Sequence, residues 1–147
     1  MFKYNLFLFK YLPSAWLCGV RVRDLNDKKC IIKVKHNWFN SNPFKSLYWA
    51  VQGMASELAT GLAIIDFANK NSLNISMLVV SNESRFLKKA KGKIRFECDE
   101  VSKIKKTLSS LSKNKTTDKI KLKSTGYDES GDVVSEFIYE WSFKLKL

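Results

Sequence analysis

The sequence predicts an α+β fold, with an antiparallel sheet of about six strands wrapped around one long central helix. Three observations carry this. Ser46–Ile65 reads SLYWAVQGMASELATGLAII, twenty residues with Glu57 as the only charge. Several other segments alternate apolar and polar residues with the period of a half-buried strand. The last stretch puts Phe137, Tyr139, Trp141, Phe143, Leu145 and Leu147 on one strand face, against Glu136, Glu140, Ser142, Lys144 and Lys146. A helix apolar on most sides has to be covered, and this aromatic face can cover it. A second copy can close the side that the sheet leaves open, by extending the sheet or packing face to face, so a dimer or a dimer of dimers is expected.

Taken in order, the elements fill one domain, residues 1–147. Phe2, Leu6, Phe9 and Tyr11–Leu12 suit a short amphipathic helix over residues 1–13, ended near Pro13. This stretch imitates a secretory signal. However, Lys10 cuts the apolar run Asn5–Phe9 short of the about seven to fifteen residues that such a signal needs. Ala15–Leu25 and Cys30–His36 read as strands joined by the turn Asn26–Lys29. An Asn-rich loop, Asn37–Phe44, leads to the central helix, predicted over residues 45–69 from its good helix formers and lack of alternation. A membrane span is the rival reading, but Glu57 at mid-bilayer would cost about 2.5–3.5 kcal/mol. The strands elsewhere also need something to cover. Residues 75–147 supply the main sheet: Ile75–Leu87, Lys93–Asp99, Lys119–Tyr127 and Val133–Leu147, with a helical excursion over Glu100–Lys113. In the first of these strands both faces are apolar over Met77–Val80.

A soluble globular balance, 45% hydrophobic and 27% charged, excludes a disordered chain or an acidic tail. The net charge is +12, and Arg85–Lys123 carries most of it, with fourteen Lys or Arg against four acids. Such a patch draws anions: nucleic acid, anionic lipid or the phosphates of coenzyme A. Its plain alternative is a solvated lysine face. Nucleic acid is disfavoured, because the aromatic residues lie on the core stripe of the last strand and not among the bases, so no stacking platform is visible. Cys18, Cys30 and Cys98 are scattered and His36 is the only histidine, which does not make a metal set. Reduced, buried thiols point to the cytoplasm. A Cys–His catalytic pair would depend on an adjacency that sequence does not give.

The order of elements resembles the hotdog fold: a short helix, two strands, a long buried helix and four strands. Asn42 opens a stretch similar to the motif of phenylacetyl-CoA-type hotdog thioesterases. In that motif an Asn precedes a His-Gly-Gly at the start of the central helix, and an acid follows one helical stretch later. At the same spacing Tyr48, Trp49 and Ala50 stand where His-Gly-Gly would, and Glu57 stands where the acid does. Arg85-Phe-Leu-Lys-Lys-Ala-Lys-Gly92 looks like the family's Phe-Leu-x-Pro-Ala-x-Gly, with Lys89 in place of the Pro. The chain also looks like an uncharacterised branch of hotdog proteins that share its Asn-Pro-Phe and Glu-Leu-Ala-Thr-Gly runs.

The resemblance implies an acyl-CoA or other acyl thioester as substrate, a hydrolytic reaction, a dimer, and no metal or cofactor. Backbone N–H groups at the helix start, here Trp49 and Ala50, would hold the oxyanion. Glu57 would be the base, its pKa raised by apolar neighbours. Equally, Glu57 can take a structural hydrogen bond. Tyr48 and Trp49 can line an acyl pocket or belong to the core, the commoner role for aromatics at helical spacing. Asn40 and Asn42 can contact substrate or cap the helix, and capping is the commoner role. Pro43 also fits the first turn of that helix. Lys88, Lys89 and Lys91 sit on the turn where related proteins bind coenzyme A phosphates, or are simply solvated. Loss of the Gly pair favours a second reading, a module that binds an acyl thioester or lipid without turning it over.

Overall fold

A computed structural model describes residues 1–146; Leu147, expected on the apolar face of the last strand, lies outside them. The described chain runs α1 (Phe2–Tyr11), α2 (Pro13–Leu17), β1 (Arg21–Leu25), β2 (Cys30–Lys35), a 3-10 turn at Trp38–Asn40, α3 (Trp49–Lys70), β3 (Ile75–Phe86), β4 (Lys93–Cys98), α4 (Val101–Ser109), β5 (Thr117–Tyr127) and β6 (Val133–Leu145). The strands form one sheet in the order β1-β2-β4-β5-β6-β3, with every neighbouring pair antiparallel. Helix α3 lies across the concave face, packed on β2, β4, β5 and β6, and α4 packs on α3 and β5.

The expected strand Ala15–Leu25 is half helix. Pro13 occupies the first turn of α2, where its missing N–H costs nothing. Gly19, at φ +83°, then turns the chain, with Gly19 N–H donating to Trp16 O and Val20 N–H to Ala15 O. Only from Arg21 is the chain extended.

The central helix begins at Trp49, not near Lys45. Asn42 explains the difference. Its Oδ1 accepts from the N–H of Phe44 and of Ser46, closing a tight turn in which Lys45 sits at φ +59°. Asn42 and Pro43 therefore shape a loop and do not start the helix.

Helix α3 is buried along most of its length, but Ala50, Gly53, Met54 and Glu57 are only half-buried. These positions recur every three or four residues and form the one stripe of the helix's first two turns that the sheet leaves uncovered. The polar stripe beside it is matched to β6. Gln52 Oε1 accepts from Ser135 Oγ (2.8 Å), Ser56 Oγ and Tyr139 OH share a hydrogen bond (2.6 Å), and Trp141 Nε1 donates to Thr60 Oγ1 (3.0 Å). Gln52, Ser56 and Thr60 lie at i, i+4 and i+8, so three successive turns are pinned in register to one strand. All three are buried and all three are satisfied, as burial of polar groups requires.

Strand β3 is apolar on both faces over Met77–Val80, with Leu78 exposed opposite Met77 and Val79, and it changes faces just beyond them. A bulge between Val79 and Ser81 inserts Val80, so Met77 and Val79 pair with Phe143 and Trp141 while Asn82, Ser84 and Phe86 pair with Tyr139, Phe137 and Ser135. One inserted residue flips the following side chains to the other face. From Ser81 onward every residue of β3 is exposed, on both faces, at the open edge of the sheet.

Candidate active site

Two cavities flank α3, one at its start and one along its middle. The first, about 340 Å³, is lined by Asn42, Phe44, Ser46, Leu47, Trp49, Gln52 and the Phe86–Lys89 segment. The second, about 250 Å³, holds Glu57 with Leu58, Gly61, Leu62 and Ile65 of α3, Phe7, Tyr11 and Leu12 of the N-terminal segment, Met77 and Trp141. Thus the structure gathers Asn42, Trp49, Lys88 and Lys89 at one cavity and places Glu57 at another. Tyr48, Ala50 and Lys91 line neither. Glu57 is seven residues beyond Ala50, about 10 Å along the helix axis at 1.5 Å per residue.

Glu57 makes no hydrogen bond or ion pair through its side chain among the described residues; only its backbone carbonyl is engaged, accepting from Thr60 Oγ1. Burial among apolar neighbours pushes its carboxyl pKa up. Burial pushes the nearby Tyr139 hydroxyl up, against the hydrogen bond to Ser56, and the Glu57 charge adds a smaller push in the same direction. A lone, partly desolvated carboxyl with no structural partner is what a base kept near its working range requires.

At the helix start, Tyr48 is the N-cap residue and offers no side-chain cap. Its own N–H donates to Asn40 O, and its carbonyl takes the N–H groups of Val51 and Gln52. The N–H groups of Trp49 and Ala50 have no acceptor among the described residues. They are the orphan donors that every helix start exposes, at the positive end of its dipole.

The side chains of Tyr48 and Trp49 do not join the core. They are 45% and 56% exposed and pack edge-to-face on one another. Tyr48 and Trp49 stand at the first turn of α3, on its outer rim.

Asn40 is buried and fully engaged. Its Nδ2 donates to Cys18 O and Lys35 O, and its Oδ1 accepts from the N–H of Asn37. Nothing remains for substrate. It closes a reciprocal cap on the 3-10 turn with Asn37, not on α3. Lys88 is likewise committed: its Nζ bridges Asp128 (2.6 Å) and Asp132 (2.7 Å). Lys89 and Lys91 are exposed, and Lys89 makes only a long contact to Phe44 O. Cys30 and Cys98 are buried, Cys18 is half-buried, and all three are free thiols. Sequence reasoning missed the α1 wall of the Glu57 cavity and the pairing of Gln52, Ser56 and Thr60 with β6. The i, i+4, i+8 spacing of that polar trio was its only visible trace.

No family model matches the chain, and no curated protein matches it in sequence. Solved structures do match in shape. A Chlorobaculum tepidum protein of unknown function superposes with TM-score 0.84 at 13% identity, over 98% of this chain and 93% of its own. A Pseudomonas aeruginosa protein described as a probable thioesterase gives 0.81 at 19%, over 99% and 97%. A thioesterase from Staphylococcus aureus gives 0.69 at 11%, over 90% and 98%. The fold is the hotdog fold. At these identities the likeness concerns the hotdog scaffold alone, a sheet curled on a long helix over essentially the whole chain. No described helix is long and apolar enough to cross a membrane.

Proposed function

We propose that this hotdog protein hydrolyses an acyl thioester, with Glu57 as general base and the N–H groups of Trp49 and Ala50 as oxyanion donors. The observation that carries the reading is Glu57: a carboxyl in an apolar cavity, without a side-chain partner among the described residues, its pKa raised by burial. In the reaction Glu57 takes a proton from water as the oxygen attacks the thioester carbonyl. The oxyanion of the tetrahedral intermediate accepts from the backbone N–H groups. Collapse breaks the C–S bond, and the departing thiolate receives the proton back.

Within one protomer the base and the donors are about 10 Å apart along the helix, too far to share one carbonyl. The reading therefore joins Glu57 of one protomer to the helix start of another. The half-buried stripe Ala50–Gly53–Met54–Glu57 and the exposed edge β3, which presents Leu78 at 65% exposure, are the surfaces that a second copy would cover. Coenzyme A phosphates are assigned to Lys89 and Lys91, since Lys88 is neutralised by two aspartates. Cytoplasmic residence is part of the same proposal.

Free-thiol release from short, long and aromatic acyl-CoAs, with Glu57→Gln in parallel, tests this. Release by the parent and not by the folded variant is expected; equal release by the variant removes Glu57 from the mechanism. The exposed Tyr48–Trp49 pair, where the resembled motif has small residues, favours a second reading, an acyl-thioester binding module without turnover. Saturable thermal protection by acyl-CoA without any release would select it.

A further inference from the structure

Helix α1 is apolar on its outer side, where a solvated helix is polar. Phe2, Leu6 and Phe9 fall within one narrow arc of the helical wheel and are 83%, 54% and 58% exposed. Leu17 of the adjoining α2 is exposed as well. The inner side already has its contacts. Leu8 is fully buried, Tyr4 OH donates to Asp66 Oδ1, and the Asn5 side chain donates to Val22 O and accepts from Val22 N–H. The orientation of α1 is therefore fixed by its other face; on the outer one Phe9 packs edge-to-face on Trp16 and still stays exposed, beside exposed Phe2 and Leu6.

Charge identifies the occupant. Lys10 and Lys3 flank the arc on its Leu6 side, two turns apart and exposed. Before Asp24 the chain holds Lys3, Lys10, Arg21 and Arg23 and no acid at all. An arc of Phe and Leu edged by lysines, on a chain of net charge +12, is the pattern of a helix lying in a membrane interface. A second copy is a poor occupant, because a two-fold contact would set these lysines against their own copies with no carboxylate in either helix. Ten residues span about 15 Å, half of a bilayer's hydrocarbon core, so α1 lies on a membrane and does not cross it.

We propose that α1 docks the protein on an anionic lipid bilayer, with Phe2, Leu6 and Phe9 in the interface and Lys3 and Lys10 among the headgroups. The other side of the same helix, through Phe7 and Tyr11, walls the Glu57 cavity. Docking would bring the bilayer within about one helix diameter, about 10 Å, of that carboxyl. That consequence rests on the proposed hydrolysis; the docking does not.

Cosedimentation with vesicles of phosphatidylcholine, alone or mixed with phosphatidylglycerol, at a fixed salt of about 0.15 M tests the proposal. Binding to the mixed vesicles and not to the neutral ones is expected. Phe2→Ser with Phe9→Ser should weaken that binding roughly tenfold or more. Lys3→Glu with Lys10→Glu should abolish the preference for the anionic lipid. Both altered pairs are exposed, so a retained cooperative thermal transition confirms their fold. Absence of binding by the parent protein overturns the proposal. Undiminished binding by the Phe2→Ser/Phe9→Ser variant overturns it too, by assigning attraction to the general positive charge. A lowered solution mass for that variant would assign the face to a second copy. Thiol release from a short, water-soluble acyl-CoA without vesicles reads the proposed hydrolysis separately, so either idea fails alone.

Discussion

Thr60→Val tests the register between the central helix and the sheet. Thr60 is fully buried, and its Oγ1 both donates to Glu57 O (2.8 Å) and accepts from Trp141 Nε1 (3.0 Å). Valine keeps the shape and removes the hydroxyl. The Glu57 carbonyl loses little, because it belongs to the helix ladder. The indole N–H loses its only acceptor among the described residues, at a site 4% exposed, where water cannot replace it. A buried donor left unpaired costs about 1–3 kcal/mol. For a domain of this size that lowers Tm by roughly 3–10 °C. Chemical denaturation gives the free energy, and a double-mutant cycle with Trp141→Phe isolates the pair. In the Trp141→Phe background no N–H remains to be orphaned, so Thr60→Val should cost only a few tenths of a kcal/mol. Slower hydrogen exchange of the Trp141 indole proton in the parent than in the Thr60→Val variant should accompany this. A Thr60→Val protein as stable as the parent, or one equally destabilised in both backgrounds, would refute the argument.

Three further outcomes are expected. The carboxyl of Glu57 is raised by burial, so the folded state holds its proton where the unfolded chain, near pH 4.3, has released it. Stability therefore falls as pH rises from about 4 through the raised value, and Glu57→Gln should be more stable than the parent at pH 7 and equal to it below about pH 4. Urea titrations across that range check this, and a less stable variant at pH 7 would mean that the carboxylate has a structural partner. Gly126→Ala should destabilise by about 1–3 kcal/mol, because a Cβ there meets Phe96 Cε1 at 2.6 Å and Ser135 Oγ at 3.0 Å; a neutral result by denaturant midpoint would show that Phe96 can move aside. If coenzyme A thioesters are the substrates, Lys89→Ala with Lys91→Ala should raise KM with kcat unchanged. Lys88→Ala should instead lower Tm, since its ammonium is already bound by Asp128 and Asp132; a larger KM change from Lys88→Ala than from the pair would reverse the assignment.

The sequence determined the layers of this protein. Period-two alternation marked β2, β4, β5 and β6, and a twenty-residue run with one acid marked the helix they enclose, because burial on one face or on most sides writes itself directly into residue order. It also singled out Glu57, since an acid in such a run is too costly to be incidental. Local hydrogen-bond competition was harder to read. Asn42 capturing Phe44 and Ser46, and Asn40 capturing Asn37, Cys18 and Lys35, delayed the helix to Trp49 and used up the polar groups that had looked available for a ligand. Such choices are decided by a few side-chain bonds that no periodicity reports. Only the tertiary structure showed that Lys88 is held by two aspartates forty or more residues away, that α1 walls the cavity of Glu57, and that Gln52, Ser56 and Thr60 are consumed by β6. These are pairings between distant segments. They depend on where the folded chain brings two surfaces together, which neighbouring residues in the sequence do not encode.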